Sequence, residues 1–499
     1  MAAVVQPQPV YVTLRNRRAL VACPPEVQEE LKQIFSYRVP GAEFSERFRM
    51  GEWDGRKCLY QRSGVPAGLF LEMRIELEKL FALDVTDERV YPEFRELYQA
   101  ANSEKGLRPY QWEALQKMVD ASNCGGLVLS ATGSGKTLLA GNLFKALVGN
   151  GCFICDELAL LEQSRREISK ALGEEVGIVG RSEFTPKRIT CATIQTLARH
   201  RTKPAFRKWF ESLDVLIIDE IHLALNKRNL DVVQQIKPLA VFGLTATLEL
   251  EKPHVRLPAA ALAGPVIFRY PIAQGVKEGF LSRGRIVRVE FRDPLKGPGE
   301  GYWSVDAEGR KYFIPPWHPQ AQYRYHVALN RARNDLVEAV VREGVARGRR
   351  TVVLVEQRAH LATLSRRLAD VPHKVASGYV KTEERLEAMR RMDAGELPLI
   401  LSSRVFSKGI DIRSVDLIVD ATGMPGRNGA MQRYGRGTRQ AEGKDALWYV
   451  DVADRGNGKF GAAAKSRLRA LQELGAPIAE VTWAGNAAQV FTALACSAK

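Results

Sequence analysis

Two short segments carry side chains able to act on a phosphate ester. Ser130-Ala131-Thr132-Gly133-Ser134-Gly135-Lys136-Thr137 follows the apolar run Leu127–Leu129 and leads into a helical stretch. Gly133 and Gly135 allow backbone N–H groups, with Thr132 and Ser134 between and before them, to turn toward phosphate oxygens, and the helix N-terminus adds positive potential. Lys136 is expected to reach the β- and γ-phosphates and the Thr137 hydroxyl to ligate Mg²⁺. The strict pattern has glycine at the first position, where this chain has Ser130. The second segment is Val215–Ile218 running into Asp219-Glu220-Ile221-His222. Asp219 is expected to hold Mg²⁺ through water, and Glu220 to orient and deprotonate an attacking water. The chemistry implied is hydrolysis of ATP with Mg²⁺; the plainer readings are a glycine-rich turn and an acidic helix cap.

Two other constellations compete. Asp420 with Glu442 and Lys444 forms a loose D…E-x-K pattern, the carboxylate–lysine set of a metal-dependent nuclease, but so short a pattern recurs by chance. Cys152 and Cys155 form a C-x-x-C inside an apolar run; on a strand, positions three apart point to opposite faces, which argues against a zinc or redox pair.

The elements needed to position the phosphate segments are legible around them. Leu127–Leu129, Phe153–Cys155, Arg188–Ala192, Val215–Ile218 and Ala240–Gly243 read as buried strands separated by helices over about 105–250. A second series follows at Thr351–Val355, Leu399–Ser402, Leu417–Val419 and Ala446–Val450. Strand–helix alternation predicts parallel sheets covered on both faces. Residues 1–100 read as a small α+β unit, with strands Val10–Leu14 and Ala19–Cys23, a helix opened by Pro24-Pro25 and running to Phe35, and a second helix over Leu69–Leu83. The expected divisions are 1–100, 101–255, a connecting segment 256–330 and 331–499. Within the connecting segment, Tyr302–Val305, a turn at Asp306–Gly309 and Arg310–Ile314 predict a β-hairpin with aromatic residues near both ends.

The 499 residues are 45% hydrophobic and 26% charged, which excludes a disordered or collagen-like chain. No apolar run reaches the ~18 residues of a membrane span. Met1–Val10 lacks the features of a secretory leader, so a cytoplasmic protein without a membrane partner is expected, in the host cytoplasm if phage-encoded. Net charge is +16, distributed as −1 over 1–100, +3 over 101–250 and +14 over 251–499. A polyanionic partner such as nucleic acid fits the basic second half, as does a merely solvated basic surface.

With the phosphate loop and Asp219-Glu220-Ile221-His222 in place, the chain resembles a superfamily 2 helicase of the DEAD/DEAH type. Further segments match that family in order. Leu107-Arg108-Pro109-Tyr110-Gln111 resembles the adenine-sensing segment, with Gln111 as base reader. Thr193-Ile194-Gln195-Thr196-Leu197 resembles a motif that contacts a nucleic-acid backbone through Thr193, Gln195 and Thr196. Thr245-Ala246-Thr247 resembles the element coupling hydrolysis to DNA movement. Lys408-Gly409-Ile410-Asp411 matches the segment touching nucleic acid through Lys408 and the ribose through Gly409 and Asp411. Gln432-Arg433-Tyr434-Gly435-Arg436-Gly437-Thr438-Arg439 matches the last helicase motif, implying catalytic roles for Gln432, Arg436 and Arg439. Where the family has an apolar-Pro-Thr segment this chain has Cys155-Asp156-Glu157. Read as helical, positions 436 and 439 lie one turn apart on one face, placed to act as arginine fingers on a γ-phosphate.

The stretch Phe48-Arg49-Met50-Gly51-Glu52-Trp53-Asp54-Gly55-Arg56-Lys57, with Leu59-Tyr60 and Pro66-Ala67-Gly68-Leu69, resembles the N-terminal domain of bacteriophage UvsW recombination and branch-migration helicases. The resemblance implies an α/β architecture of two RecA-like parallel-sheet domains in tandem, preceded by a small α+β accessory domain. It implies an ATP-driven motor on branched DNA (junctions, D-loops, R-loops, stalled forks, including RNA–DNA hybrids) in recombination and repair. Arg49 and Trp53 are its candidate DNA contacts, by stacking and phosphate pairing; Trp53 as core packing is the alternative. The hairpin is expected either to wedge between strands or to pack on the second domain. A duplex-DNA translocase of a restriction or remodelling complex, or an RNA helicase, would carry the same motor residues.

Overall fold

The protein is described from a computed structural model at residues 10–97, 106–156, 158–305, 309–378, 380–403, 414–424, 427–441, 444–456 and 458–496. The chain forms two compact units, 1–270 and 271–499.

In the first unit, β1 (Val10–Leu14), β2 (Arg18–Ala22), β3 (Ser36–Arg38), β4 (Arg56–Cys58), β5 (Gly64–Pro66) and β6 (Leu83–Asp87) precede eight further strands. These are β7 (Gly126–Ser130), β8 (Gly151–Cys155), β9 (Gly177–Gly180), β10 (Glu183–Thr185), β11 (Ile189–Thr193), β12 (Val215–Asp219), β13 (Ala240–Thr245) and β14 (Val266–Tyr270). The N-terminal sheet has the order β5-β2-β1-β6, and β3 pairs with β4 as a separate hairpin. The expected helix over Leu69–Leu83 is shorter, Phe70–Glu78, because Leu83–Asp87 instead runs parallel to β1.

The larger sheet has the order β10-β9-β11-β8-β12-β13-β7-β14 and is parallel throughout except for the β9–β10 edge. The residues of β8, β9 and β11 are buried without alternation, as a sheet covered on both faces requires. The helix Pro253–Ala263 belongs to two cores at once. Leu257 and Ala260 pack with Val12, Leu69 and Met73 of the N-terminal domain. Ala259 and Ala263 pack with Leu216 and Val232 under the large sheet. Gly68 makes this approach possible: a Cβ there would lie 2.0 Å from the Ala260 carbonyl oxygen. An Arg256–Glu72 ion pair joins the same surfaces.

The second unit contains β15 (Gly284–Arg292), β16 (Tyr302–Val305), β17 (Lys311–Ile314), β18 (Thr351–Leu354), β19 (His373–Ala376), β20 (Leu399–Ser402), β21 (Leu417–Asp420), β22 (Leu447–Arg455) and β23 (Ile478–Thr482). Its sheet, ordered β19-β20-β18-β21-β22-β15-β23, is wholly parallel. Segment 256–330 is therefore not a separate connector. It supplies the bridging helix and β14 to the first unit and β15 to the second, where Val287 and Val289 are fully buried. Its many Pro, Gly and aromatic residues hide these strands from a reading based on apolar runs.

The expected hairpin forms as β16–β17, with Trp303 opposite Phe313 and Val305 opposite Lys311. One face is anchored: Ile314 is buried, and Tyr302 lies beneath the Arg324 guanidinium, 4.8 Å from the ring centroid. The other face, carrying Trp303, Val305, Lys311 and Phe313, is exposed, Trp303 by 68%. Among the described residues no helix is long and apolar enough to cross a membrane.

Candidate nucleotide site and nucleic-acid motor

Register alone brings most of the chemically active residues of the first unit into one row. Asp219 lies opposite Leu244, Thr245 opposite Leu129, and Thr193 opposite Cys155. The carboxyl ends of β11, β8, β12, β13 and β7 thus present Thr193, Cys155, Asp219, Thr245 and Ser130 along one rim, the edge where open parallel sheets bind ligands.

At the β7 end, Gly133 and Gly135 have φ of +84° and +86°, a conformation glycine adopts without steric cost. Gly135 then caps the helix Lys136–Ala146, near whose start Thr137 sits. A Cβ on Gly135 would meet Gln111 Nε2 at 2.4 Å. Gln111 and Tyr110 reach the loop from the helix Pro109–Asp120: Gln111 Nε2 and the Tyr110 hydroxyl both donate to the Ser134 carbonyl, at 2.7 and 2.8 Å. Arg108 N donates to Gln111 Oε1, so both ends of the Gln111 amide are fixed. Ser130 Oγ donates to Ser134 Oγ at 2.6 Å, a bond that glycine at position 130 could not make. Lys136 Nζ rests on the Ser130 carbonyl at 3.2 Å. Thr132 Oγ1 is buried and has no hydrogen-bond partner among the described residues. An orphaned hydroxyl on a glycine-rich turn beside a lysine is a donor set that triphosphate oxygens would satisfy. Thr137 and Asp219 supply the oxygen donors that Mg²⁺ prefers.

At the β12 end, Asp219 Oδ1 accepts from Glu220 N at 3.1 Å. Glu220 has φ +47°, a strained conformation for a residue with a Cβ. Its Oε2 accepts from the Thr245 hydroxyl at 2.9 Å, and His222 Nδ1 lies 3.4 Å from both. Thr245 Oγ1 also lies 3.1 Å from the Thr247 carbonyl oxygen, a second acceptor for its one proton, while Thr247 N donates back to Thr245 Oγ1. Of the expected coupling pair, Thr245 is therefore in direct contact with the expected base and Thr247 reaches it through Thr245. His222 was part of the sequence motif, but its place in this cluster comes only from packing.

Toward β11, Thr193 Oγ1 donates to Thr196 Oγ1, and Gln195 Nε2 donates to Asp156 Oδ1 at 2.6 Å. The departure from the family pattern at Cys155-Asp156-Glu157 thus has a structural partner, and the Gln195 amide nitrogen is engaged by it. Cys152 and Cys155 are buried reduced strand residues, and burial pushes the Cys152 thiol well up. Among the described residues no cluster of three or more metal-ligating side chains occurs.

In the N-terminal domain, Trp53 is half-buried and its Nε1 donates to the Arg56 carbonyl at 2.7 Å. Arg49 is exposed, next to Met50, at the end of a short helix. Phe44 and Met50 are exposed apolar neighbours on this excursion that the sequence reading did not single out.

In the second unit, Gln432 and Arg436 lie on the helix Arg427–Gly437. Arg439 does not: the helix ends at Gly437, so the one-turn, one-face relation expected for Arg436 and Arg439 is not what sets their positions. The Arg439 turn is instead held by Ser282, whose N donates to the Thr438 carbonyl at 2.6 Å and whose Oγ donates to the Arg439 carbonyl at 3.2 Å. Arg433 points inward, its Nε donating to Asp420 Oδ2 at 2.8 Å. Asp420 also accepts from Tyr449 and Thr422 hydroxyls, both at 2.6 Å. Burial alone would raise the Asp420 carboxyl; Arg433, Arg467 and these hydrogen bonds outweigh it and hold the group below the usual carboxylate range. Asp420 is thus consumed by structural bonds and Lys444 faces backbone carbonyls, which removes two of the three nuclease-pattern residues from metal chemistry. Lys408, Gly409, Asp411 and Glu442 lie outside the described residues.

Comparison with known proteins agrees with this geometry. Three family models match successive segments: "DNA helicase UvsW, N-terminal" at 15–95, "Type III restriction enzyme, res subunit" at 104–250 and "Helicase conserved C-terminal domain" at 332–441. The chain is 24% identical over 420 residues to the DNA 3'-5' translocase XPB2 of Sulfurisphaera tokodaii, spanning 80% of this chain and 90% of that protein. It is 20% identical over 462 residues to the ATP-dependent DNA helicase uvsW of Enterobacteria phage T4, spanning 87% and 88%. In fold it matches the helicase MrfA solved bound to DNA, with a TM-score of 0.54 and 16% identity over 79% of this chain and 54% of that one.

Proposed function

Because the chain is a superfamily 2, ATP-dependent DNA helicase similar to UvsW, we propose that it remodels branched DNA: junctions, displacement loops, R-loops and stalled forks, in recombination and repair. The observation that carries the choice of substrate is the hairpin β16–β17, whose outward face offers Trp303 and Phe313 beside Lys311. Flat aromatic side chains next to a cation stack on unpaired bases without regard to sequence, as strand separation at a branch demands. The match of residues 15–95 to a UvsW N-terminal domain supports the same choice.

In this reading Lys136 and the backbone of the Gly133–Gly135 turn hold the phosphates of ATP, and Gln111 selects adenine. Thr137 and Asp219 would hold Mg²⁺, which when bound neutralises charge on the β- and γ-phosphate oxygens. Glu220 orients water and takes its proton. The Thr245 hydroxyl proton has a second acceptor in the Thr247 carbonyl, so Glu220 can change protonation without leaving Thr245 unsatisfied. Thr245 and Thr247 then report the state of the base along the rim toward Thr193, Gln195 and Thr196. Arg436 and Arg439 supply positive charge as the γ-phosphate leaves. Lys408, Arg49 and Trp53 join the DNA contacts, and Gly409 and Asp411 the ribose. The domain limits that follow are an accessory domain to about residue 100 and a motor domain on either side of 270.

A second reading has one observation in its favour, the likeness to a protein named as a translocase: movement on duplex DNA without strand separation. ATPase rate and strand separation compared on forks, four-way junctions, R-loops, plain duplex and single-stranded RNA decide. Branched DNA is expected to stimulate hydrolysis most and to be separated. Equal stimulation by plain duplex with no separation replaces this reading by the second, and a rate indifferent to every nucleic acid ends both.

A further inference from the structure

Arg439 lies beyond the end of its helix, so what fixes it is the set of bonds on its own turn. Two of these come from Ser282, at the entry to β15. Two more come from Lys444, just before β22, whose Nζ donates to the Gly437 carbonyl at 2.5 Å and to the Arg439 carbonyl at 3.1 Å. Gln440 Nε2 donates to the Gly279 carbonyl, tying the far side of the turn to the same entry loop. The Gly437 carbonyl is one of those a helix leaves without an intrahelical partner, and the Arg439 carbonyl lies two residues past that end; a lysine there satisfies the hydrogen-bonding capacity of both and the negative end of the dipole.

We infer that Lys444, with Ser282, is a positioning residue for ATP hydrolysis, setting the Arg439 backbone so that its guanidinium acts on the γ-phosphate. The inference rests on the proposed role of Arg439. Lys444 touches no reacting atom in this account; it acts through the turn it holds. A cation half-buried under a turn needs a reason to be there, since leucine or methionine would fill the space without partly desolvating a charge. The two carbonyls are that reason.

The chemistry of the amine gives the inference a signature. Burial above all, opposed by Asp416 and Asp393 and aided by Arg350 and Arg439, lowers the Lys444 pKa to about 8. A cavity of about 630 Å³, with Lys277, Arg283 and Asp445 also on its walls, gives the proton a path to water. Above pH 8 the neutral amine keeps two N–H groups and loses the charge that strengthens both bonds, so the turn loosens. Folding stability moves the other way. The unfolded lysine holds its proton up to about pH 10.4, so burying it costs least once the folded group is neutral, and stability rises between those pH values.

The test compares Arg439→Ala, Lys444→Met, Lys444→Arg and Ser282→Ala in the full chain, reading kcat, KM for ATP and Tm from pH 6.5 to 9.5. Lys444→Met is expected to lower kcat roughly tenfold to a hundredfold, the scale of an ångström's misplacement, with KM for ATP nearly unchanged. Ser282→Ala, acting from a different element, is expected to shift kcat in the same direction by less. The wild-type rate is expected to fall above about pH 8 while Tm does not; Lys444→Arg is expected to restore the neutral-pH rate and to lack that limb. If Arg439→Ala collapses the rate but Lys444→Met and Ser282→Ala turn over normally, the inference is overturned and the reading of Arg439 stands. Should Arg439→Ala itself be active, the underlying role of Arg439 fails and the inference goes with it. A Lys444→Met loss that tracks Tm at every pH reduces the residue to a structural one and overturns the inference.

Discussion

Glu220 is a carboxylate kept in a left-handed backbone conformation by the Asp219 and Thr245 contacts on either side. Strain of this kind costs of order 1–3 kcal/mol and persists where neighbouring contacts over-determine it. Glu220→Gln keeps that conformation and removes the base. Its turnover is expected to drop roughly 10²–10⁴-fold while ATP binding, read by nucleotide fluorescence, persists; unaltered turnover would mean that another group takes the proton. Lys136→Ala is expected to abolish hydrolysis and to weaken nucleotide binding as well, since no second cation contacts the Ser130–Ser134 turn in the described bonds. Gly135→Ala tests the loop from the backbone side. The methyl group would occupy the place of Gln111 Nε2, so the variant is expected to bind ATP poorly even though every polar side chain remains.

Among the elements, the helix Arg427–Gly437 shows how one motif divides its labour. Arg433 is spent on Asp420 inside the fold, whereas Arg436, on the same helix, and Arg439, on the turn after it, are the residues proposed to act on ATP. Removing one partner of a buried ion pair costs about 3–5 kcal/mol because the other charge is left behind. Asp420→Asn is therefore expected to lower the Tm of the second unit by roughly 10 °C, measured by scanning calorimetry, and to lower activity only through instability. The pH dependence has a definite sign. Asp420 has a folded pKa below its unfolded one, so its stabilisation is complete above the ordinary carboxylate range and is lost as pH falls below about 4. The stability gap between wild type and Asp420→Asn is expected to close on acidification, and a gap that stays constant would show that the carboxylate charge is not what the pair provides.

For the whole molecule, the N-terminal sheet and the large parallel sheet of the first unit share the helix Pro253–Ala263, so both belong to one compact unit. With +14 of the net charge beyond residue 250, DNA affinity is expected to fall steeply with salt, the slope of log K against log[salt] counting the phosphates contacted. Under the proposed function, the hairpin is where separating strands and only moving along them can be told apart. Trp303→Ala with Phe313→Ala leaves the anchored face of Tyr302 and Ile314 intact. The pair is expected to reduce separation of forks by roughly 5–100-fold, the scale of about 1–3 kcal/mol per stacked base, while DNA-stimulated ATPase stays near wild type. Equal loss of both activities would assign the hairpin to folding.

By itself the sequence determined the motor: the phosphate loop, Asp219-Glu220 and the last arginine motif each follow or precede a recognisable apolar strand, because backbone cradles and buried strands constrain residue types over short spans. The nine buried central strands were legible for the same reason. Strands β14 and β15 were not, lying among prolines, glycines and aromatics whose burial comes from partners far along the chain. Tertiary structure alone decided the rest. Strand order placed Thr245 against Glu220, although 25 residues separate them. It turned Arg433 inward to Asp420, took Arg439 off its helix, and brought Ser282 and Lys444, 162 residues apart in the chain, to the same carbonyl oxygen. Local pattern records what a segment must be; a hydrogen bond between distant segments leaves no mark on either until the sheet has set the register between them.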